Sequence, residues 1–88
     1  MTWTVEFQEQ ATEDLEQLDK PVQRRILRYL SERIENSNDP KRFGKPLTGD
    51  KKGLWRYRIG DYRAICVIED HKLIVLVLAV GHRRKVYQ

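Results

Sequence analysis

The hydrophobic pattern of this 88-residue chain changes period near Gly53, and no other feature limits its fold so tightly. Before Gly53 apolar residues recur mostly at three and four, the spacing of a helix with one buried face. After it they recur at two, the spacing of a strand. The opening is an exception: Trp3, Val5 and Phe7 alternate with polar residues and predict a short strand over Thr2–Phe7. Ala11, Leu15 and Leu18 then mark a first helix. Asp19 and Pro21 predict a fresh start, since Asp caps well and Pro is tolerated in a first turn. Val22, Ile26, Tyr29 (or Leu30) and Ile34 form the stripe of a second helix, which fades at Asn36–Pro40. Helices joined so tightly pack as a hairpin.

Leu54–Ile59, Tyr62–Glu69 and Leu73–Val80 read as three strands of a meander, with Gly60-Asp61 a compact turn between the first two. The last is almost wholly apolar and β-branched, so it is expected to be central with both faces covered. The fold class expected is α+β in the order β-α-α-β-β-β, one domain over residues 1–88. A helical hairpin packs on one face of a mostly antiparallel four-stranded sheet.

A two-residue Gly60-Asp61 loop sets a register. Ile59 faces Tyr62, Arg58 faces Arg63 and Arg56 faces Ile65. Trp55, Tyr57 and Ile59 then share the core face with Tyr62, Ala64 and Cys66, under Leu15, Leu18, Ile26 and Leu30 of the helices. Arg56, Arg58 and Arg63 share the opposite face. Like charges directly across a sheet cost up to roughly 1 kcal/mol. A phosphate between the guanidinium groups would offset that cost, because Arg forks bind phosphate bidentately. An ordinary solvated face with splayed arginines is the plainer alternative.

Charge distribution points the same way. Residues 1–50 carry 8 Lys+Arg against 10 Asp+Glu, and residues 51–88 carry 9 against 3. The positive field is thus concentrated in the C-terminal half, as suits a polyanion-binding surface. Arg24, Arg25 and Arg28 on the helices are expected to pair with neighbours, such as Glu32 with Arg28. Eighty-eight residues with 40% apolar side chains can close one core with little to spare, so a bound partner would add stability. Cys66 is the single cysteine and permits no internal disulfide. No apolar run reaches the roughly 18 residues of a membrane helix, and the N-terminus is too polar for a signal peptide. The cytoplasm is the expected compartment.

The tail Gly81-His82-Arg83-Arg84-Lys85-Val86-Tyr87-Gln88 is expected to leave the last strand beside the arginine face. It brings further cations, an imidazole suited to proton exchange near neutrality, and a phenol that could equally be a terminal anchor. His71 reads as a turn residue. There is no Cys/His spacing for zinc, no phosphate-cradling glycine loop and no nucleophile elbow. The acidic residues lie mostly in the helical half, away from the cations, which disfavours a two-metal nuclease.

Three stretches resemble a known family: Lys45-Pro46-Leu47 with Gly49, the block Gly53-Leu54-Trp55-Arg56-Tyr57-Arg58-Ile59-Gly60-Asp61-Tyr62-Arg63, and Val80-Gly81-His82-Arg83-Arg84 through Val86-Tyr87. Together they resemble the RelE branch of the RelE/ParE toxin superfamily. The resemblance implies a RelE-like fold and a type II toxin that enters the ribosomal A site and cleaves mRNA by attack of the ribose 2′-hydroxyl, without a metal or other cofactor. It implies a cognate antitoxin, RelB-like or other, and operator DNA bound indirectly through that antitoxin; no membrane is involved. By position, Arg56 and Arg58 would contact or activate the substrate, Arg63 would stabilise the pentacoordinate phosphate, and Arg83 would act as acid or charge stabiliser. Tyr87 would stack on a base or relay a proton. Family members with lysines at the strand positions have a candidate base there; arginine effectively never gives up its proton, so His82 takes that role here, with Tyr87 second. Lys51, Lys52, Arg84 and Lys85 would bind RNA along its backbone.

The arginine face should continue, under a two-residue Asp70-His71 loop, through Ile65, Val67, Ile74, Leu76 and Leu78. That patch would be large for a lone domain and is where an antitoxin would bind. Two rivals share the fold: a ParE-like inhibitor of DNA gyrase, against which proton carriers at His82 and Tyr87 argue, and a non-catalytic nucleic-acid-binding module.

Overall fold

The computed structural model describes residues 2–85. Strand β1 (Thr4–Phe7) leads into helix α1 (Glu9–Glu16) and helix α2 (Lys20–Tyr29). The second helix continues as one π-helical stretch, Leu30–Glu35, before a 3-10 turn at Pro40–Phe43. Strands β2 (Gly44–Pro46), β3 (Trp55–Ile59), β4 (Tyr62–Glu69) and β5 (Ile74–His82) complete a sheet of order β1-β5-β4-β3-β2. β1 runs parallel to β5 and every other pairing is antiparallel. The α+β architecture with its helical hairpin on one face is therefore as the periodicity predicts, with a fifth strand added.

That fifth strand, β2, is three residues long and ends in a proline, which cannot donate to a ladder. Gly44 makes its approach possible, because a Cβ there would lie 3.1 Å from Tyr57 Cε1 and 3.2 Å from the Arg56 carbonyl oxygen. Asp19 stands at the α2 N-cap position, yet its side chain makes no cap bond and Pro21 lies in the first turn. Helix α2 owes its place to packing instead: Ile26, Leu30 and Ile34 are fully or almost fully buried.

The helices cover one face of the sheet. Trp3, Ala11, Leu15, Ile26, Leu30 and Ile34 pack there on Tyr57, Ile59, Ala64, Cys66, Val75, Val77 and Val80, with Leu18 and Tyr62 at the margin. Trp55 is a correction to the expected core. It sits at the start of β3 opposite Pro46, only partly buried, with Lys41 Nζ 5.9 Å from its ring centre. The core's polar atoms are closed off: the Tyr57 hydroxyl donates to the Pro40 carbonyl at 2.6 Å, and Tyr29 meets the Tyr57 ring edge-on at 6.5 Å. Burial pushes the phenols of Tyr57 and Tyr29 up and the Cys66 thiol up to about 12.

The β4–β5 connection is longer than expected. Glu69 pairs with Ile74, so Asp70–Leu73 form the loop, closed by Leu73 in the left-handed region at φ 55°. The two-residue shift moves the partner of Val67 from Ile74 to Leu76 but preserves the alternation. One residue later the ladder slips: Cys66 pairs with Val77 but Ile65 with Ala79, which makes Leu78 an extra residue in β5. Beyond this bulge the alternation is inverted. Val80 joins the core opposite Ala64, and His82 comes opposite Tyr62. A uniform strand would have sent both to the outer face.

Among the described residues no helix is long and apolar enough to cross a membrane.

Candidate functional site

The β3–β4 hairpin organises the cations. Gly60, at φ 61°, supplies the positive φ that a two-residue turn of this kind requires at its first position. The turn fixes the register: Ile59 pairs with Tyr62, Arg58 with Arg63, Tyr57 with Ala64 and Arg56 with Ile65. Arg58 and Arg63 are thus directly opposed on the face away from the helices. The neighbours along the same rows are Gly81, opposite Arg63, and Lys45 of β2, opposite Arg56. Lys45 is a cation of this face that periodicity alone could not place, since a three-residue strand has no measurable period.

The arginines differ in their surroundings. Arg58 is exposed. Arg63 is buried to 6% exposure, and its Nη1 donates to the carbonyls of Gly60 at 3.0 Å and Tyr62 at 2.9 Å. The guanidinium is therefore curled back over its own turn and fixed there. Arg56 is half-buried, and its Nε is a buried donor with no hydrogen-bond partner among the described residues. An orphaned buried N–H on a cation is costly, on the order of 1–3 kcal/mol or more. An anion would relieve it.

Arg83 reaches the same place by its backbone, whose N–H donates to the Asp61 carbonyl at 2.8 Å. His82 does not join the arginines on their face. Its ring stands edge-on to Tyr62 with centres 5.6 Å apart, and its Nδ1 accepts the Arg84 N–H at 3.3 Å. The expectation that it leaves the strand beside Arg58 and Arg63 is corrected by the bulge at Leu78, which turns residue 82 to the Tyr62 side. His82, Arg84 and Lys85 instead line an open cleft of about 790 Å³ with Asp14, Gln17 and Leu18 of the first helix and its end. Asp14 closes one side of it by accepting the Val80 N–H at 3.1 Å.

Lys51 and Lys52 lie before β3, at the opposite end of that strand from the Gly60 turn. Tyr87 lies outside the described residues. The apolar part of the arginine face is as the pattern predicts in Val67, Ile74 and Leu76, which are half-buried and outside the core cluster. Ile65 is buried to 6% exposure, and Leu78, at the bulge, is half-buried. The expectation that β5 has both faces covered is thus not met: the helices cover one.

Charge pairing is sparse. Among the described residues the ion pair formed is Lys41 with Asp70 at 3.2 Å. Arg28 makes none with Glu32, contrary to expectation, and Arg25, Arg58 and Arg83 make none with any carboxylate among the described residues. No group of three His, Cys, Asp or Glu side chains that could hold a metal ion occurs among the described residues.

Comparison with known proteins agrees with the resemblance seen in the motifs. The family of the ParE toxin of the type II toxin–antitoxin system parDE matches residues 5–87. Toxin RelG of Mycobacterium tuberculosis is 32% identical over 88 residues, which is 100% of this chain and 99% of that protein. In the crystal structure of the RelBE2 toxin–antitoxin complex of M. tuberculosis, a chain 30% identical superposes with a TM-score of 0.86 over 94% of this chain and 93% of its own. The archaeal RelE–RelB complex of Pyrococcus horikoshii holds a chain 27% identical with a TM-score of 0.70, covering 98% of this chain and 100% of that one. With the hairpin, its opposed arginines and the Gly-His-Arg-Arg end in place, the chain belongs to the RelE/ParE superfamily of type II toxin–antitoxin toxins, and is of the RelE type.

Proposed function

We propose that this toxin is an endoribonuclease that cleaves mRNA in the ribosomal A site and so stops translation. The observation that carries the reading is the opposition of Arg58 and Arg63, beside a buried Arg56 Nε that lacks a partner among the described residues. A phosphate would stabilise such a face. The substrate is a phosphodiester with a free neighbouring 2′-hydroxyl. Its oxygen forms a bond to phosphorus while the bond from phosphorus to the 5′-oxygen breaks. The 2′ proton is lost to a base, and the leaving oxygen gains one.

Arg56 and Arg58 hold the nonbridging oxygens, and Arg63, fixed by its two carbonyl partners, keeps a permanent positive charge beside them. Arg83, tied to the same turn, adds to the charge stabilisation that develops in the transition state. His82 moves a proton at the end of the sheet. Its Nδ1 accepts the Arg84 N–H, which leaves Nε2 as the ring atom that takes the 2′ proton and returns one to the leaving oxygen. Tyr87 stacks on a base or assists proton transfer, and Arg84, Lys85, Lys51 and Lys52 follow the RNA backbone.

A RelB-type antitoxin is the expected partner, by analogy with the complexes that structural relatives form. Its segment covers Val67, Ile74, Leu76 and Leu78, with Ile65 already buried beneath them in the free chain, and so closes the cationic site next to them. Operator DNA would be bound through the antitoxin.

Purified toxin added to programmed ribosomes should yield RNA ending in a 2′,3′-cyclic phosphate. Arg58→Ala should lower the rate by roughly 10²–10³ across the pH range, and His82→Gln should flatten the pH profile near neutrality. A 3′-hydroxyl product would mean that water was the nucleophile and would sink this mechanism. Because the matching family also contains ParE, a parallel supercoiling assay decides the rival: inhibition of DNA gyrase without RNA cleavage would make the protein a gyrase inhibitor.

A further inference from the structure

The helical layer sends one cation to the β3–β4 turn. A Cβ built on Gly60 would lie 2.8 Å from both Nη1 and Nη2 of Arg25 and 2.9 Å from its Cζ. Near-equal distances to all three atoms mean that the guanidinium lies face-on against the Gly60 backbone. The carbonyl of the same residue is taken by Arg63, whose Nη1 donates to it at 3.0 Å. Arg83 is joined to the next residue through the Asp61 carbonyl. Arginines from the helix, from β4 and from the end of β5 therefore converge on two turn residues.

Arg25 is not drawn there by a counterion. It forms no ion pair with any carboxylate among the described residues, and its guanidinium lies against the Gly60 backbone instead. A stacked, exposed guanidinium keeps its N–H edge free for an acceptor, and the fork suits the paired oxygens of a phosphate. Gly60 supplies the positive φ of the turn, and the guanidinium lies in the space that a Cβ there would take.

We propose that Arg25 is a positioning residue that holds a backbone phosphate of the RNA strand next to the one gripped by Arg58. This rests on the reading of the arginine face as an RNA site and extends that site around the turn onto the helical side. The strand would then pass over the end of the sheet, where the face of Arg58 and the cleft of His82 meet. Such a path reconciles a histidine and an arginine cluster placed on opposite faces.

The test is binding of a short 2′-O-methyl RNA oligonucleotide, uncleavable because it lacks free 2′-hydroxyls, measured against salt concentration. Arg25→Ala should weaken binding alike for different sequences and reduce the slope of log affinity against log salt by about 0.7. Arg33→Ala removes the same charge from a side chain that packs on Phe43 instead, and should leave the slope nearly unchanged. Equal losses for both variants would mean diffuse attraction to a basic protein, and an unchanged slope for Arg25→Ala would also overturn the proposal. If Arg58→Ala alters the slope and Arg25→Ala does not, the inference fails and the site stands; if neither does, or the wild type does not bind, both fall. Arg25→Lys guards against a folding effect, since it keeps the charge without the flat fork. Its affinity should fall between the other two with the thermal midpoint unchanged, and wild-type affinity would show that the stacked fork is irrelevant.

Discussion

The two faces of the sheet are made from alternate residues of the same strands, and they are built to opposite standards. On the helix side Tyr57 has its hydroxyl bonded to Pro40, Cys66 is sealed and Ile26 is fully buried. On the other side Arg58 opposes Arg63, Arg56 keeps an orphaned Nε, and Val67, Ile74 and Leu76 stay half-buried with no helix over them. One face is closed by the helices; the other is left open beside its cations. The difference separates stability from function in space. Substitutions on the two faces should therefore fail in different assays.

Ile26→Ala gives the largest stability effect expected. Removing a fully buried side chain from the core costs about 2–5 kcal/mol by urea denaturation. Leu76→Ala, on the outer face, should cost clearly less, and it should weaken antitoxin binding instead. Equal losses of stability would mean that the outer face is part of the core and would break the comparison.

Alkaline pH sharpens it. The Cys66 thiol ionises in the unfolded chain from about 9 but is held protonated up to about 12 when folded, because burial disfavours the thiolate. The native state then binds more protons than the unfolded one, so stability falls as pH rises through that window. The slope from this group is at most about 1.4 kcal/mol per pH unit. In Cys66→Ala the loss above pH 9 should be shallower, by thermal unfolding. Arg58→Ala, on the outer face away from Cys66, should leave the alkaline profile unchanged.

Arg58→Thr carries the smallest expected change and has an unusual sign. Relief of the like-charge pair should raise the free toxin's stability by up to roughly 1 kcal/mol, while RNA cleavage falls. A loss of stability would show that Arg58 and Arg63 are not in conflict without ligand, and the contrast between the faces would lose its physical basis.

The parts of this arrangement that the sequence makes legible are those governed by local rules. Gly60-Asp61 admits a two-residue turn, and from that turn alone the Arg58–Arg63 opposition follows. Leu15, Ile26 and Leu30 declare the core by their spacing. Other parts depend on contacts between distant segments. β2 has too few residues for alternation to register, and its glycine matters only because Tyr57 would crowd a Cβ there. Arg25 meets Gly60 across a gap of 35 positions in the chain, which no spacing rule could connect. His82 is misplaced by simple alternation because Leu73–Val80 is apolar at nearly every position, so the pattern carries no phase in which a slip could be seen.

That slip makes chain length, rather than residue identity, the variable that matters at the tip of β5. Leu78 is the residue by which β5 outruns β4, so the ladder on either side of it would stay in step if it were deleted. Val77 would still meet Cys66, Ala79 would still meet Ile65, and His82 would still arrive over Tyr62. Deleting Val75 instead would leave the β1 and β4 partners out of step with the first half of the strand. The two halves of β5 thus behave as separate segments spliced at one position, and this splice is where a relative could differ in length by one residue yet keep the same side chains around its arginines.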